Sequence, residues 1–269
     1  MAMTHPAVRV AGGYLRDARE RRYVLPEQAA ALLAVSEETV LAMEAGRTGI
    51  TSEGISRLSH LYRCPEDAQA LRKLAHTLIA PAADIRHDAV AAGAVRDAAA
   101  GHHRRLAGCA RQAREVRWLS TTLIPPPLQT SAYASAIGCP SFALPGAPLP
   151  SPGHTVYVLA ERILHTQHVA PEVMAQQLRY LLDLEGGEVR VVPGRIAAPE
   201  GHLVELRMAA GSAFARPEHD GVVYLPQDGR LSVLVSGAWD LTTPAATREL
   251  LLYAAQEQLG RAYVHAGAA

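Results

Sequence analysis

Residues 26–47 read PEQAAALLAVSEETVLAMEAGR, and the fold of the N-terminal part turns on them. Pro26 suits the first position of a helix, where a missing N–H removes no hydrogen bond. Ala29, Ala30, Leu32 and Leu33 give that helix an apolar face. Ala34–Val35 is too short to be anything but a tight connection. Ser36 is placed to cap a second helix by accepting from the Thr39 N–H, and Glu37 and Glu38 sit at the positive end of its dipole. Val40 and Met43, three apart, are its expected buried stripe, and Gly46 closes it in the left-handed conformation that glycine tolerates. Two short helices joined by a small-residue turn are predicted.

With Leu15–Arg16–Asp17–Ala18–Arg19–Glu20 ahead of it, and Ala29–Ala30, Leu33–Ala34–Val35–Ser36, Thr39–Val40, Glu44 and Gly46–Arg47 within it, the segment resembles the XRE (Cro/CI-repressor-like) helix-turn-helix family. The resemblance implies that the second helix of the motif enters the major groove and that its early residues meet base edges. It assigns DNA contact to Ser36, Glu37, Thr39, Val40 and Arg47, with Arg16, Arg21 and Arg22 on phosphates. The chain departs from the family at several of these places. Pro26 stands where relatives often carry a base-contacting glutamine, Glu37 where a basic or small polar residue is common, and Leu41–Ala42 where a polar or basic pair faces DNA. Together with Glu38, these residues weaken the expectation of tight DNA binding.

Charge bears directly on that expectation, because Lys and Arg contacts to phosphate supply most of the affinity for duplex DNA. Residues 1–80 carry ten basic and nine acidic side chains, and the motif's second helix has no Lys or Arg before Arg47. The whole chain of 269 residues has a formal net charge of +0. Overall charge therefore gives no attraction to nucleic acid or to an anionic membrane. Half the residues are apolar but only 5% aromatic, so the core must be built mainly from Leu, Val and Ala.

Cys64, Cys109 and Cys139 are widely spaced and form no CxxC, which points to free thiols in a reducing compartment and to no metal site built on them. The N-terminus lacks the regions of a signal peptide, and no apolar run approaches the roughly 20 residues that span a bilayer. A cytoplasmic protein without a membrane segment is expected.

Downstream, Thr51–Gly54 opens a helix through Ile55, Leu58, Leu61 and Tyr62. Pro65–Asp67 opens another with Leu71, Leu74 and Leu78. Five short helices make a domain over residues 1–80, ending at Ala80–Ala83. Residues 84–115, rich in Ala and Arg, are expected to be a helical connector broken at a glycine. Residues 116–269 are expected to be an α+β ligand- or partner-sensing domain. It would have strands at 116–124, 189–192 and 202–208, a hairpin of 221–225 with 231–235, and helices at 132–137, 171–185 and from Thr243 onward. In that last helix Leu250, Leu251, Tyr253, Ala254 and Leu259 are expected to turn inward. The Pro- and Gly-rich stretch 139–153 fits a connector or a flap.

Leu123–Ile124–Pro125 and Leu128–Gln129–Thr130–Ser131–Ala132–Tyr133–Ala134 resemble the "P-G-L-L-Q-T-x-x-Y-A" signature of the antitoxin-like domain that follows such modules in many actinobacterial regulators. Segments 156–164, 174–182 and 189–193 agree in order and spacing. Pro126–Pro127 replaces the usual Gly-Leu. This resemblance implies a homodimeric regulator that senses a small-molecule ligand or a small companion protein.

No nucleophile elbow, phosphate loop, dinucleotide fingerprint or zinc-protease pattern occurs. No metal or cofactor is expected, and no catalytic residue is assigned. Candidate pocket residues in the C-terminal half are Tyr157, Glu161, His165, His202, Glu205 and Arg207. Glu161 and His165, four apart, would share a face on a helix. Two readings remain open. One is a helix-turn-helix transcriptional regulator. The other is a degenerate helix-turn-helix protein, no longer binding DNA, whose C-terminal domain binds a small molecule or converts a metabolite.

Overall fold

The computed structural model describes residues 6–76, 94–138, 155–184, 189–194, 196, 198, 200–209, 211–218, 221–225 and 229–267. The chain is α+β: a helical N-terminal region followed by a region that contains β-sheet. Contacts divide it into two compact units, residues 1–116 with 205–228, and residues 117–204 with 229–269.

The first unit is built around α1 (Pro6–Arg21). Thirteen of its sixteen residues are buried, so it is a central helix with neighbours on every side. Then come α2 (Pro26–Leu33), α3 (Glu37–Glu44), α4 (Ser52–Leu61), a 3-10 turn (Pro65–Asp67) and α5 (Ala68–His76). Pro26 occupies the first turn of α2, and Ala34 takes a left-handed conformation (φ 55°) that ends it. Ser36 caps α3, its hydroxyl accepting from the Thr39 N–H at 3.1 Å. Thr51 caps α4 in the same way through Gly54, at 3.0 Å. Gly46 has φ 65°, as expected, and a Cβ there would sit 2.6 Å from the Arg9 Cα. One detail of the stripe differs: Val40 is fully buried, but Met43 is only half-buried and Glu44 is the second buried residue of α3.

Further along, β1 (Val95–Asp97) stands in a stretch expected to be helical, of which residues 84–93 lie outside the described residues and 102–112 form a helix, α6 (His102–Gln112). The boundary expected at Ala80–Ala83 lies outside the described residues, as does the stretch 139–153. Strand β1 pairs antiparallel with β7 (Gly221–Leu225), which pairs antiparallel with β6 (Gly211–Glu218). The register runs Phe214 to Leu225 and Glu218 to Gly221, so β6 and β7 form the hairpin. A hairpin of 221–225 with 231–235 was expected instead. Residues 231–235 lie within a helix, α9 (Gly229–Asp240), where Leu231, Val235 and Ala238 share a buried face at i, i+4, i+7. Five residues, Leu-Ser-Val-Leu-Val, are too few to separate a period of two from one of 3.6.

In the second unit, β2 (Glu115–Ser120, of which residues 117–120 belong here) ends at Ser120 rather than 124. A 3-10 turn, Pro126–Leu128, leads to α7 (Ser131–Ala136), capped by Thr130. Strand β3 (Thr155–Ala160) pairs in parallel with β4 (Val189–Val192). Between them lie a 3-10 turn (Glu161–His165) and α8 (Pro171–Asp183). The long final helix α10 (Pro244–Gly267) packs on α8 and β4. Leu251, Ala254 and Ala255 face inward, and Thr247 anchors the helix by accepting from the Val191 N–H at 3.0 Å. Tyr253, expected to face inward, is exposed. The inward face passes instead through Thr247, Leu251, Ala254 and Gln258, a regular i, i+4, i+7, i+11 stripe.

Candidate nucleic-acid interface

Helix α3 is seated on α1 by two devices. At Gly12 the backbones nearly touch: a Cβ there would lie 2.5 Å from the Met43 carbonyl oxygen and 2.7 Å from that of Glu44. Two turns further along α1, Arg19 donates to Glu44 through Nε at 2.7 Å and through a terminal nitrogen at 2.9 Å. Tyr62, which follows the last residue of α4, donates to the same carboxylate at 3.2 Å. Burial and the Glu44 carboxylate both push the Tyr62 phenol well above its usual range. This fixes the end of α3, and the Ser36 cap fixes its start.

The exposed surface of the motif then follows. Ser36, Glu37, Glu38, Leu41 and Arg47 are exposed and Thr39 is half-buried. Val40 is fully buried; it packs the motif's core and does not reach a groove. Arg16 is paired with Glu20 at 2.8 Å. Arg21 is paired with Asp17 at 2.9 Å, and that carboxylate also receives both arms of Arg111 at 2.7 Å. Arg22 and Arg47 are exposed and make no ion pair among the described residues. Of the four cations assigned to phosphate or groove contact, Arg16, Arg21, Arg22 and Arg47, these two are left unpaired among the described residues. Exposed Tyr23 and Leu25 lie just before α2.

The opposite side of α1 carries a buried charge cluster that no sequence pattern announced. Arg105 of α6 is fully buried. It donates to Asp97 of β1 at 2.8 and 2.7 Å and to Asp67 at 2.6 Å. Asp67 also accepts from Tyr14 at 2.5 Å and from Arg104 at 2.9 Å. Burial works against the Arg105 charge, yet its two carboxylate partners outweigh it and raise its pKa. The cluster ties β1 and α6 to α1 through Tyr14 and Asp67.

The six candidate pocket residues are not brought together. Glu161 accepts from the Gly194 N–H at 2.8 Å, while His165 meets Glu257 at 2.7 Å. The turn carrying them is 3-10, in which residues four apart do not align. Glu205 is buried and accepts from Ser212 at 2.7 Å, and Arg207 is paired with Glu115 at 2.8 Å. These last two belong to the first unit.

Tyr157 and His202 do converge, on a residue the sequence reading passed over. Trp118 stacks on Tyr157 with ring centroids 6.5 Å apart and meets the His202 ring edge-on at 6.0 Å. His202 Nδ1 lies 2.8 Å from the buried Ser120 hydroxyl. Burial lowers the His202 pKa from 6.5 to about 4. The unfolded imidazole therefore takes up a proton near pH 6.5 while the folded one resists. Stability should fall as pH drops from about 6.5 to about 4, by no more than about 3 kcal/mol, and by less because the ring keeps some access to water. Urea titrations across that range should show the loss, and His202→Phe should flatten it.

Residues 11–72 match the family model described as "Helix-turn-helix domain". The match covers α2 and α3 and extends from within α1 into α5. It supports DNA binding by these residues at a general level. No curated protein and no solved structure matches the chain. No helix among the described residues is long and apolar enough to cross a membrane.

Proposed function

We propose that the protein is an XRE-type transcriptional regulator. In this reading it binds duplex DNA as a homodimer, and its C-terminal region senses a small-molecule ligand or a small companion protein. The observation that carries this reading is the seating of α3: capped at Ser36 and held at Glu44, it presents a rigid exposed edge with Arg47 at one end. Arg22 and Arg47 would contact phosphate, with Ser36, Glu37 and Thr39 nearest the bases. Arg16 and Arg21 would have to leave Glu20 and Asp17 to join them. Only two of the four assigned cations are free of ion pairs, so few phosphate contacts, modest affinity and a shallow salt slope are expected.

The test is binding to the DNA flanking the protein's own gene, titrated across salt. The observed association constant should fall with salt, and Arg47→Ala should weaken binding to all sequences alike and reduce the slope by about 1. Folded protein that fails to bind at low salt would overturn the reading. It would favour a motif kept as a scaffold, in which Glu37, Glu38 and Leu41 form a surface unsuited to phosphate.

A further inference from the structure

Helix α10 is apolar on two sides. Its inward stripe, through Leu251 and Ala254, packs on α8 and β4. On the opposite side, Leu252, Tyr253, Gln256, Gly260, Tyr263 and Val264 fall within about 60° of one line along the helix, at roughly 100° per residue. All six are exposed, and the large apolar ones strongly so: Leu252 by 42%, Tyr253 by 65%, Tyr263 by 80% and Val264 by 71%. A helix apolar on opposite sides is ordinarily enclosed on both. Apolar side chains gathered into a patch mark a contact surface, where scattered ones do not. Glu249, at the outer end, is the one charged residue on this face, and Glu257 at its edge is paired with Arg261 and His165. A Cβ at Gly260 would meet nothing within 4 Å. Packing within one chain therefore does not call for the poorest helix former after proline at that position.

The order of these residues points to what covers them. They are symmetric about residue 258: Leu252 answers Val264, Tyr253 answers Tyr263 and Gln256 answers Gly260. We propose that this face pairs with the same face of a second copy of the chain, the two α10 helices running antiparallel about a two-fold axis level with residue 258. A two-fold contact requires a patch complementary to itself. In this pairing Leu252 and Tyr253 of one copy lie level with Val264 and Tyr263 of the other, once at each end. Leu252 meets the second copy's Tyr263, and Tyr253 its Val264. Between the ends Gln256 lies level with the other Gly260, whose missing side chain lets the backbones approach. The face carries no Lys or Arg, which a nucleic acid or an anionic membrane surface would call for. A strip about 18 Å long and about 10 Å wide falls well short of the roughly 800 Å² that each partner gives to a standard interface. A weak dimer, dissociating at concentrations on the order of micromolar, is therefore expected. This contact serves the homodimer proposed above and rests on that reading.

Sedimentation equilibrium of the full-length protein between about 1 and 100 μM should show reversible dimer formation. Tyr253→Glu and Val264→Lys each set a charge against an apolar side chain of the second copy, and each should weaken the dimer about tenfold or more. Both positions are exposed, so each variant should keep its urea midpoint at low protein concentration, which separates lost pairing from lost folding. An equimolar mixture of the two variants should associate more tightly than either alone, because the antiparallel pairing sets residue 253 of one beside residue 264 of the other. A dimer of undiminished strength in both variants would overturn the proposal and leave the homodimer reading intact, and so would a mixture no tighter than its components. A protein monomeric throughout that range would overturn both and leave the face to a companion protein.

Discussion

Arg105→Met should destabilise the first unit by about 3–5 kcal/mol, the range seen when one member of a buried ion cluster is removed. Methionine replaces much of the apolar stem, so the loss reports on charge more than on a cavity. Among the described residues Asp97 keeps the Ala99 N–H at 3.2 Å, and Asp67 keeps Tyr14 and the half-exposed Arg104. A carboxylate left in so dry a place either protonates or draws in water, and both routes weaken the native state. Urea unfolding should show a lower midpoint with an unchanged slope. The double variant Arg105→Met/Asp97→Leu, which also removes the orphaned charge, should recover part of the loss. Equal losses in the single and double variants would mean that packing, not the unpaired carboxylate, dominates.

That cluster marks the limit of what the residues reveal in order. The caps at Ser36 and Thr51, the left-handed Gly46 and the proline at the start of α2 are local, set by neighbours within about four positions. They could be read directly. The ion cluster joins Tyr14 to Asp67 across 53 positions and Asp67 to Arg105 across 38, with Asp97 brought in beside Arg105, and no spacing rule connects them. Strand β6 was missed for a related reason: its residues 211–218, GSAFARPE, have little β-branched character and contain a proline. Pairing with β7 decides their conformation. For α9 the difficulty was opposite, since LSVLV suits a strand and only Ala238 and Trp239 beyond it extend a helical period.

At the candidate sites the same division holds. Ser36, Glu37 and Arg47 are exposed, whereas Val40, assigned to the same DNA-contacting set, points inward. Of the proposed pocket residues, Tyr157 and His202 meet only because Trp118 lies between them. A lone tryptophan in a strand carries no signal of that kind. Glu161 and His165 were paired on the assumption of an α-helix, and a 3-10 turn sends them to different partners.

Glu44→Ala should separate stability from DNA binding. In the intact protein the carboxylate is 1% exposed and holds Arg19 by a two-point contact, with Tyr62 as a third donor. Alanine leaves the nearly buried Arg19 guanidinium with Val24 O at 3.0 Å and a distant Glu20 at 3.8 Å, and it leaves the Tyr62 hydroxyl without its acceptor. A loss of about 3–5 kcal/mol is expected. Because the same contact fixes the last turn of α3 against α1, the surviving folded fraction should bind DNA at least tenfold more weakly, with Arg47 no longer held in place. Glu44→Gln keeps the shape and one good acceptor but removes the charge, so its stability loss should be smaller, about 1–3 kcal/mol. If Glu44→Gln binds DNA normally while Glu44→Ala does not, the contact acts by seating the helix. Full DNA affinity in Glu44→Ala would show that Gly12 and the Ser36 cap are enough to hold α3.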